Sequence, residues 1–253
     1  MKQIIFLLII CHATLTAHAA TPGQSTNDAP DVLAARKARD HAAVEELQRT
    51  VDKAQAEAAK TKSFEAYLRL ALFEVWLCEA AEDKGDDKLF KRAAEAGVAA
   101  AEQAVALNPK SSDAHQLLGD LLSQLIPQVF GGGMRYGKRA TDEMDKAIEL
   151  NPKNVNAYVS RAISYYYTPD SFGGSKSKAF ELLKKAVEID ASQDSPHIWL
   201  AFFALDAGKT GEAASEINLA LKANPERAFT KYVESQVTAA RKSATQKKQT
   251  PKQ

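Results

Sequence analysis

The sequence predicts an all-α fold: an elongated stack of about four helical hairpins with a capping helix at each end. Three observations predict it. A helix end of one pattern occurs four times, as AVALNP at 104–109, AIELNP at 147–152, AVEIDA at 186–191 and ALKANP at 220–225. In each copy a small residue marks a close helix contact, Asn or Asp leaves the helix, and in three copies Pro forbids its continuation. The leading Ala residues are spaced by 43, 39 and 34 residues, an interval typical of helical repeats. Finally, the chain is rich in Ala, its few Gly and Pro cluster between helical patterns, and strand-like alternation of Val, Ile and Thr is nearly absent.

Composition sets further bounds. Of 253 residues, 45% are hydrophobic and 26% charged, as in ordinary soluble domains. Met1-Lys2-Gln3, the apolar run 4–10 and Ala17-His18-Ala19 have the anatomy of a secretory signal peptide over 1–19. The run is too short for a transmembrane span. Cys11 would be the lipidated residue of a lipoprotein, but Ile10 is bulkier than such a box prefers. The expectation is an exported chain, periplasmic or secreted, with no transmembrane segment once the leader is cleaved. Only Cys78 then remains, so no internal disulfide is available. It stands in an apolar helix beside Glu79 and Glu82, the setting of a buried, inert thiol.

Taken in order, residues 20–30 (ATPGQSTNDAP) read as a flexible linker. Asp31 caps a helix over 32–60 whose thin stripe of Val44, Leu47 and Val51 covers the first hairpin. Ser63 opens a helix apolar on most of its circumference, Asp83–Asp86 turns, and 87–107 returns with Gly97, Ala100, Ala101 and Ala104 as a close-packing face. The second hairpin starts at Ser111-Ser112-Asp113, breaks at the loop 127–133 (PQVFGGG) and ends at Leu150. A third starts at Asn156, carries Tyr165-Tyr166-Tyr167, loops over 168–175 (TPDSFGGS) and ends at Ile189. The fourth, from Asp194 to Pro225, has no enlarged loop. A closing helix over 226–241 completes the repeat domain at 31–241, and 242–253 reads as a basic, disordered tail.

In the fourth hairpin, with Asp194 as position 1, Leu200 and Ala201 fall at 7 and 8, Gly208 at 15, Ala213 at 20, Ala220 at 27 and Pro225 at 32. This pattern resembles the tetratricopeptide repeat (TPR), departing from it at position 4, where His197 stands. The resemblance covers 63–225 and implies a TPR-like α-solenoid. It further implies a non-catalytic module whose concave face receives a protein or peptide. Two Phe-Gly-Gly loops in an exported array also resemble the TPR subunits that partner binding proteins of TRAP transporters. That second resemblance implies, as an alternative, a small-molecule-binding subunit of an import system.

Candidate sites follow from the same residues. Phe130 and Phe172 either pack back against their own hairpins, the expected outcome, or form a lip over the groove. Arg135, Lys138, Ser175 and Lys176 would hold an anion at helix N-termini in the second case. Tyr165, Tyr166 and Tyr167 follow one another at about 100° per residue and cannot all face one way, so one or two face the core and one is free for a partner. The stretch 132–138 (GGMRYGK) follows a phosphate-loop spacing, but Arg139 stands where Ser or Thr must hold magnesium and no strand precedes it. His41, His115 and His197 lie on separate helices, which argues against a metal site. No catalytic motif, cofactor motif or nucleic-acid-binding pattern appears. The five basic residues of 241–253 leave the rest of the chain mildly acidic.

Overall fold

The recurring helix ends are small local machines. In each, the cap residue (Asn108, Asn151, Asp190 or Asn224) leaves helical backbone while its N–H still bonds the carbonyl of the Ala four residues back, at 2.8–3.1 Å. Its side-chain oxygen then accepts from the N–H two residues on, at 3.2, 3.0, 2.9 and 3.2 Å in order. This is why Asn or Asp recurs: the side chain closes a turn that the backbone has just left. Ala104, Ala147, Ala186 and Ala220 are all fully buried, because any larger side chain would push the next helix away.

The computed structural model describes residues 29–249, so the leader, Cys11, most of the linker and the last four residues lie outside it. Eleven α-helices are found among the described residues: α1 (Pro30–Asp40), α2 (Val44–Thr61), α3 (Phe64–Asp83), α4 (Asp87–Leu107), α5 (Ser112–Leu125), α6 (Gly132–Leu150), α7 (Val155–Tyr167), α8 (Lys176–Ile189), α9 (Asp194–Asp206), α10 (Thr210–Ala223) and α11 (Ala228–Gln249). Side-chain oxygens of Ser63, Asp86, Ser111, Asn154 and Ser175 cap the helices that follow them. No described helix is long and apolar enough to cross a membrane.

Two expectations change. The helix foreseen over 32–60 is broken at 41–43, where Ala42 takes a left-handed conformation (φ 49°) and Ala43 N–H bonds the Ala38 carbonyl at 2.8 Å. Hence the N-terminal cap is two helices, α1 and α2, instead of one, ahead of the four hairpins α3/α4, α5/α6, α7/α8 and α9/α10. At the other end α11 runs on to Gln249, so the basic segment 242–249 is helical in backbone instead of disordered.

Inner helices pack on one another in order, α1 on α3, α3 on α5, α5 on α7, α7 on α9 and α9 on α11. The stack curves far enough for α1 to touch α11. Arg227 bonds Glu79 across that closure, and Asn224 bonds Asp40 at 3.3 Å. The concave face foreseen as an open groove is therefore bridged end to end. Packing divides into two apolar clusters. One runs from α1 through α5 to Ala140, the other from Met144 to α11, so the boundary falls within α6. Leu118, Leu122 and Ala147 are core, as their register predicts.

Candidate functional site

Both enlarged loops are built the same way. In the loop before α6, Phe130 precedes Gly131 in the left-handed region (φ 72°) and then Gly132. A Cβ on Gly132 would lie 2.2 Å from the Ile126 carbonyl oxygen. In the loop before α8, a 3-10 turn (Asp170–Phe172) precedes Gly173 (φ 89°) and Gly174, whose Cβ would lie 1.7 Å from the Thr168 carbonyl oxygen. The first glycine reverses the chain and the second lets it fold against its own helix end. A side chain just before such a reversal is thrown outward.

Phe130 and Phe172 are accordingly 106% and 78% exposed, and Met134, one turn into α6, is 90% exposed. The expectation that the two phenylalanines pack down is overturned. Tight turns hold the loops without them. Between the loops opens a crevice of about 690 Å³, walled by α6 and α7 and reached by Met134 and Phe172 but not by Phe130.

The three tyrosines separate as their helical positions require. Tyr166 is buried, stacked on Phe203 with ring centroids 3.6 Å apart, and donates to Asp206 at 2.5 Å. Burial and that carboxylate push its phenol up, while the bond from Tyr166, with Lys176 beside it, holds Asp206 below the usual carboxylate range. Tyr165 lies under the Arg161 guanidinium at 3.9 Å, with the Lys178 ammonium at 5.4 Å. Only Tyr167 reaches the crevice, where burial pushes its phenol up.

Of the four residues expected to hold an anion, only Lys138 lines the crevice. Lys138 pairs with Asp142, Lys176 with Asp206 at 3.1 Å, and Arg135 lies over the Tyr136 ring at 5.0 Å. The Ser175 hydroxyl caps α8. Gly132–Lys138 is helical, which removes the phosphate-loop geometry. Cys78 is buried and its thiol is pushed well up by burial, with the Sγ 3.6 Å from the Phe90 carbonyl. No group of three metal-ligating side chains occurs among the described residues.

Three features escaped the sequence reading. Arg227, Glu79 and Asp194 form a buried ionic cluster, with Arg39 close enough to act on Asp194. Glu74 and Glu82, on one face of α3, are pushed up to about 8 and about 9, burial being the main cause. Three glutamates, Glu74, Glu79 and Glu82, set among the apolar residues of α3 were the available signal. His115 and His197, both at position 4 of their hairpins, each sit between a return-helix carboxylate and an inter-hairpin carbonyl. The distances are 2.5 Å to Glu143 and 2.9 Å to Pro109, and 2.7 Å to Glu216 and 3.2 Å to Ala191. Histidine thus replaces the expected residue by clamping a hairpin to its predecessor.

No family model matches the sequence, and no curated protein matches it. Solved structures do. TTC0263, a thermophilic TPR protein of Thermus thermophilus, superposes with a TM-score of 0.60 at 17% identity, over 83% of this chain and 98% of that one. The chain has the TPR fold. The HusA haemophore from Porphyromonas gingivalis is also similar, with a TM-score of 0.51 at 22% identity over 81% and 96%. In TPR terms, α3, α5, α7 and α9 are first helices of their hairpins, and the crevice opens where hairpin α5/α6 meets hairpin α7/α8.

Proposed function

We propose that the chain is a non-catalytic protein-interaction module that acts outside the cytoplasm and takes its partner on the loop edge of the stack. One observation carries this reading: Phe130 and Phe172 stand exposed on two loops that glycine turns hold in place, and Met134 stands exposed on the first turn of α6. Exposed large apolar side chains gathered on one edge mark interaction sites, and aromatic anchors dominate binding energy in such interfaces. Loops on a rigid scaffold suit that task. The bridged concave face supports the loop edge over the groove, and Tyr165 and Tyr166 already have intramolecular partners. The exported location rests on the leader-like residues 1–19.

A photo-crosslinking residue in place of Met134, in cells exporting the full chain, tests the reading. A single crosslinked protein, lost when Phe130 and Phe172 are both changed to Ala, is expected. Crosslinking that survives the double change would overturn it. Intact mass of the exported chain tests the location: a start near Ala20 supports it, and a lipidated Cys11 would place the chain on a membrane.

A further inference from the structure

Below the lip, the crevice has properties that a protein-docking edge does not need. We propose that it binds one small amphiphile, with an apolar body between α6 and α7 and an anionic head at Lys138. Its volume of about 690 Å³ falls within the roughly 300–1,000 Å³ of small-molecule sites. It lies at the boundary of the two apolar clusters, with Ala140 of one and Met144 of the other in its wall. The stack parts there and leaves room.

The lining states what the occupant must be. Ile126, Met144, Ile163, Tyr167 and Phe172 give it apolar walls, and Met134 at the mouth is exposed and adaptable. Three of its hydroxyls are already spent on backbone: Thr141 donates to the Lys138 carbonyl at 2.8 Å, Ser160 to Asn156 at 2.8 Å and Thr168 to Ser164 at 2.7 Å. The body of the ligand therefore needs few hydrogen-bonding groups. Lys138 is the only charged side chain among the described lining residues. Its pairing with Asp142 is an exposed contact within one helix, weak enough to yield to an incoming anion.

Two glycines supply a further argument. Gly133 and Gly137 lie one turn apart on α6 and both line the crevice. A Cβ on either would meet nothing within 4 Å, so neither is required by the packing of the chain itself. A helix disfavours glycine. Their effect is to keep the wall of the crevice free of side chains where an occupant would lie.

Fluorescence titration of the full chain tests this, with the anionic 1-anilinonaphthalene-8-sulfonate and the neutral N-phenyl-1-naphthylamine as probes. Saturable binding of one anionic probe per chain is expected. Gly137→Trp should weaken both probes about tenfold or more by filling the site. Gly211→Trp, at a glycine equally free of neighbours but outside the crevice, should leave binding unchanged. Lys138→Ala should weaken the anionic probe about fivefold and spare the neutral one. Gly133→Trp serves as a second filling variant, and circular-dichroism melting confirms that each variant is folded. Equal probe binding by wild type and both filling variants would overturn the site. Equal loss of both probes in Lys138→Ala would overturn the anionic head. Phe130→Ala separates this site from the lip, since Phe130 belongs to the lip and does not line the crevice, whereas Met134 and Phe172 belong to both.

Discussion

Arg227 and Glu79 are 148 residues apart in the chain and bonded in the buried interior, with Nε 3.2 Å from Oε1. Arg227 also donates to Asp194 at 3.0 Å. Burial alone would raise the Asp194 carboxyl, but the Arg227 and Arg39 guanidiniums outweigh it and hold it below the usual carboxylate range. The cluster ties α3, α9 and the start of α11 together where the two ends of the stack meet.

Breaking that cluster on one side leaves uncompensated buried charge. Arg227→Met removes the guanidinium that both Glu79 and Asp194 bond, and such a loss costs about 3–5 kcal/mol. Urea melting should show it, and hydrogen exchange should localise new opening to α1 and α11. A loss below about 1 kcal/mol would mean that the ends are held by something else.

Glu74 and Glu82 give stability a pH dependence of known sign. Their folded values, pushed up to about 8 and about 9, exceed the ordinary 4.5. The folded state thus binds protons more tightly than the unfolded state, and stability falls as pH rises from about 4.5 towards 9. Glu82→Gln, neutral at every pH, should flatten that fall and be more stable than wild type at pH 8. Urea midpoints from pH 5 to pH 9 measure it. A wild type that gains stability over this range would contradict the burial of these carboxyls.

His197 adds to the same slope. Its bond to Glu216, with smaller help from the Ala191 carbonyl, raises its proton affinity above the ordinary value against the opposing effect of burial. Both ring nitrogens face acceptors, so the protonated ring fits the site best. The stability it contributes is complete below the unfolded value and is lost as pH rises through the folded one. Glu216→Gln should lower the His197 titration midpoint in NMR spectra. An unchanged midpoint would show that the carboxylate does not govern this histidine.

These cases show which parts of the fold were legible in the sequence. The helix ends were, because an Asx turn is made by neighbours: Asn108, Asn151, Asp190 and Asn224 need no distant partner. The break at Ala42 was not, since alanine carries no turn signal and is not a residue expected in the left-handed region. The Glu79 partner could not be read from a stretch 148 residues away. At the candidate site, both Phe-Gly-Gly loops were visible as insertions, but the fate of the phenylalanines depended on the chain reversing just after them. The crevice joins α6 to α7 through tertiary packing that no local pattern encodes.

Ala147→Asp tests the array itself. Ala147 is fully buried, and its carbonyl accepts from the Ser112 hydroxyl at 2.7 Å on α5. A carboxylate there has no partner and costs several kcal/mol. The site lies near the boundary between the two apolar clusters, so the damage should split the melting curve into two transitions. A single transition at the wild-type temperature would count against the packing described.

The glycines of the loop edge should respond in opposite ways to one added methyl group. Gly132→Ala places a Cβ 2.2 Å from the Ile126 carbonyl oxygen, a clash with backbone that no side-chain rotation relieves. The turn must open, and a loss of about 1–3 kcal/mol is expected. Gly137→Ala places its Cβ in open space within a regular helix. Alanine restricts the unfolded chain and favours helix, so a gain of about 1 kcal/mol is expected. Urea melting of the two single variants measures both signs. A loss at Gly137 comparable to that at Gly132 would mean that the fold itself needs this glycine, and the space beside it would then need no occupant to explain it.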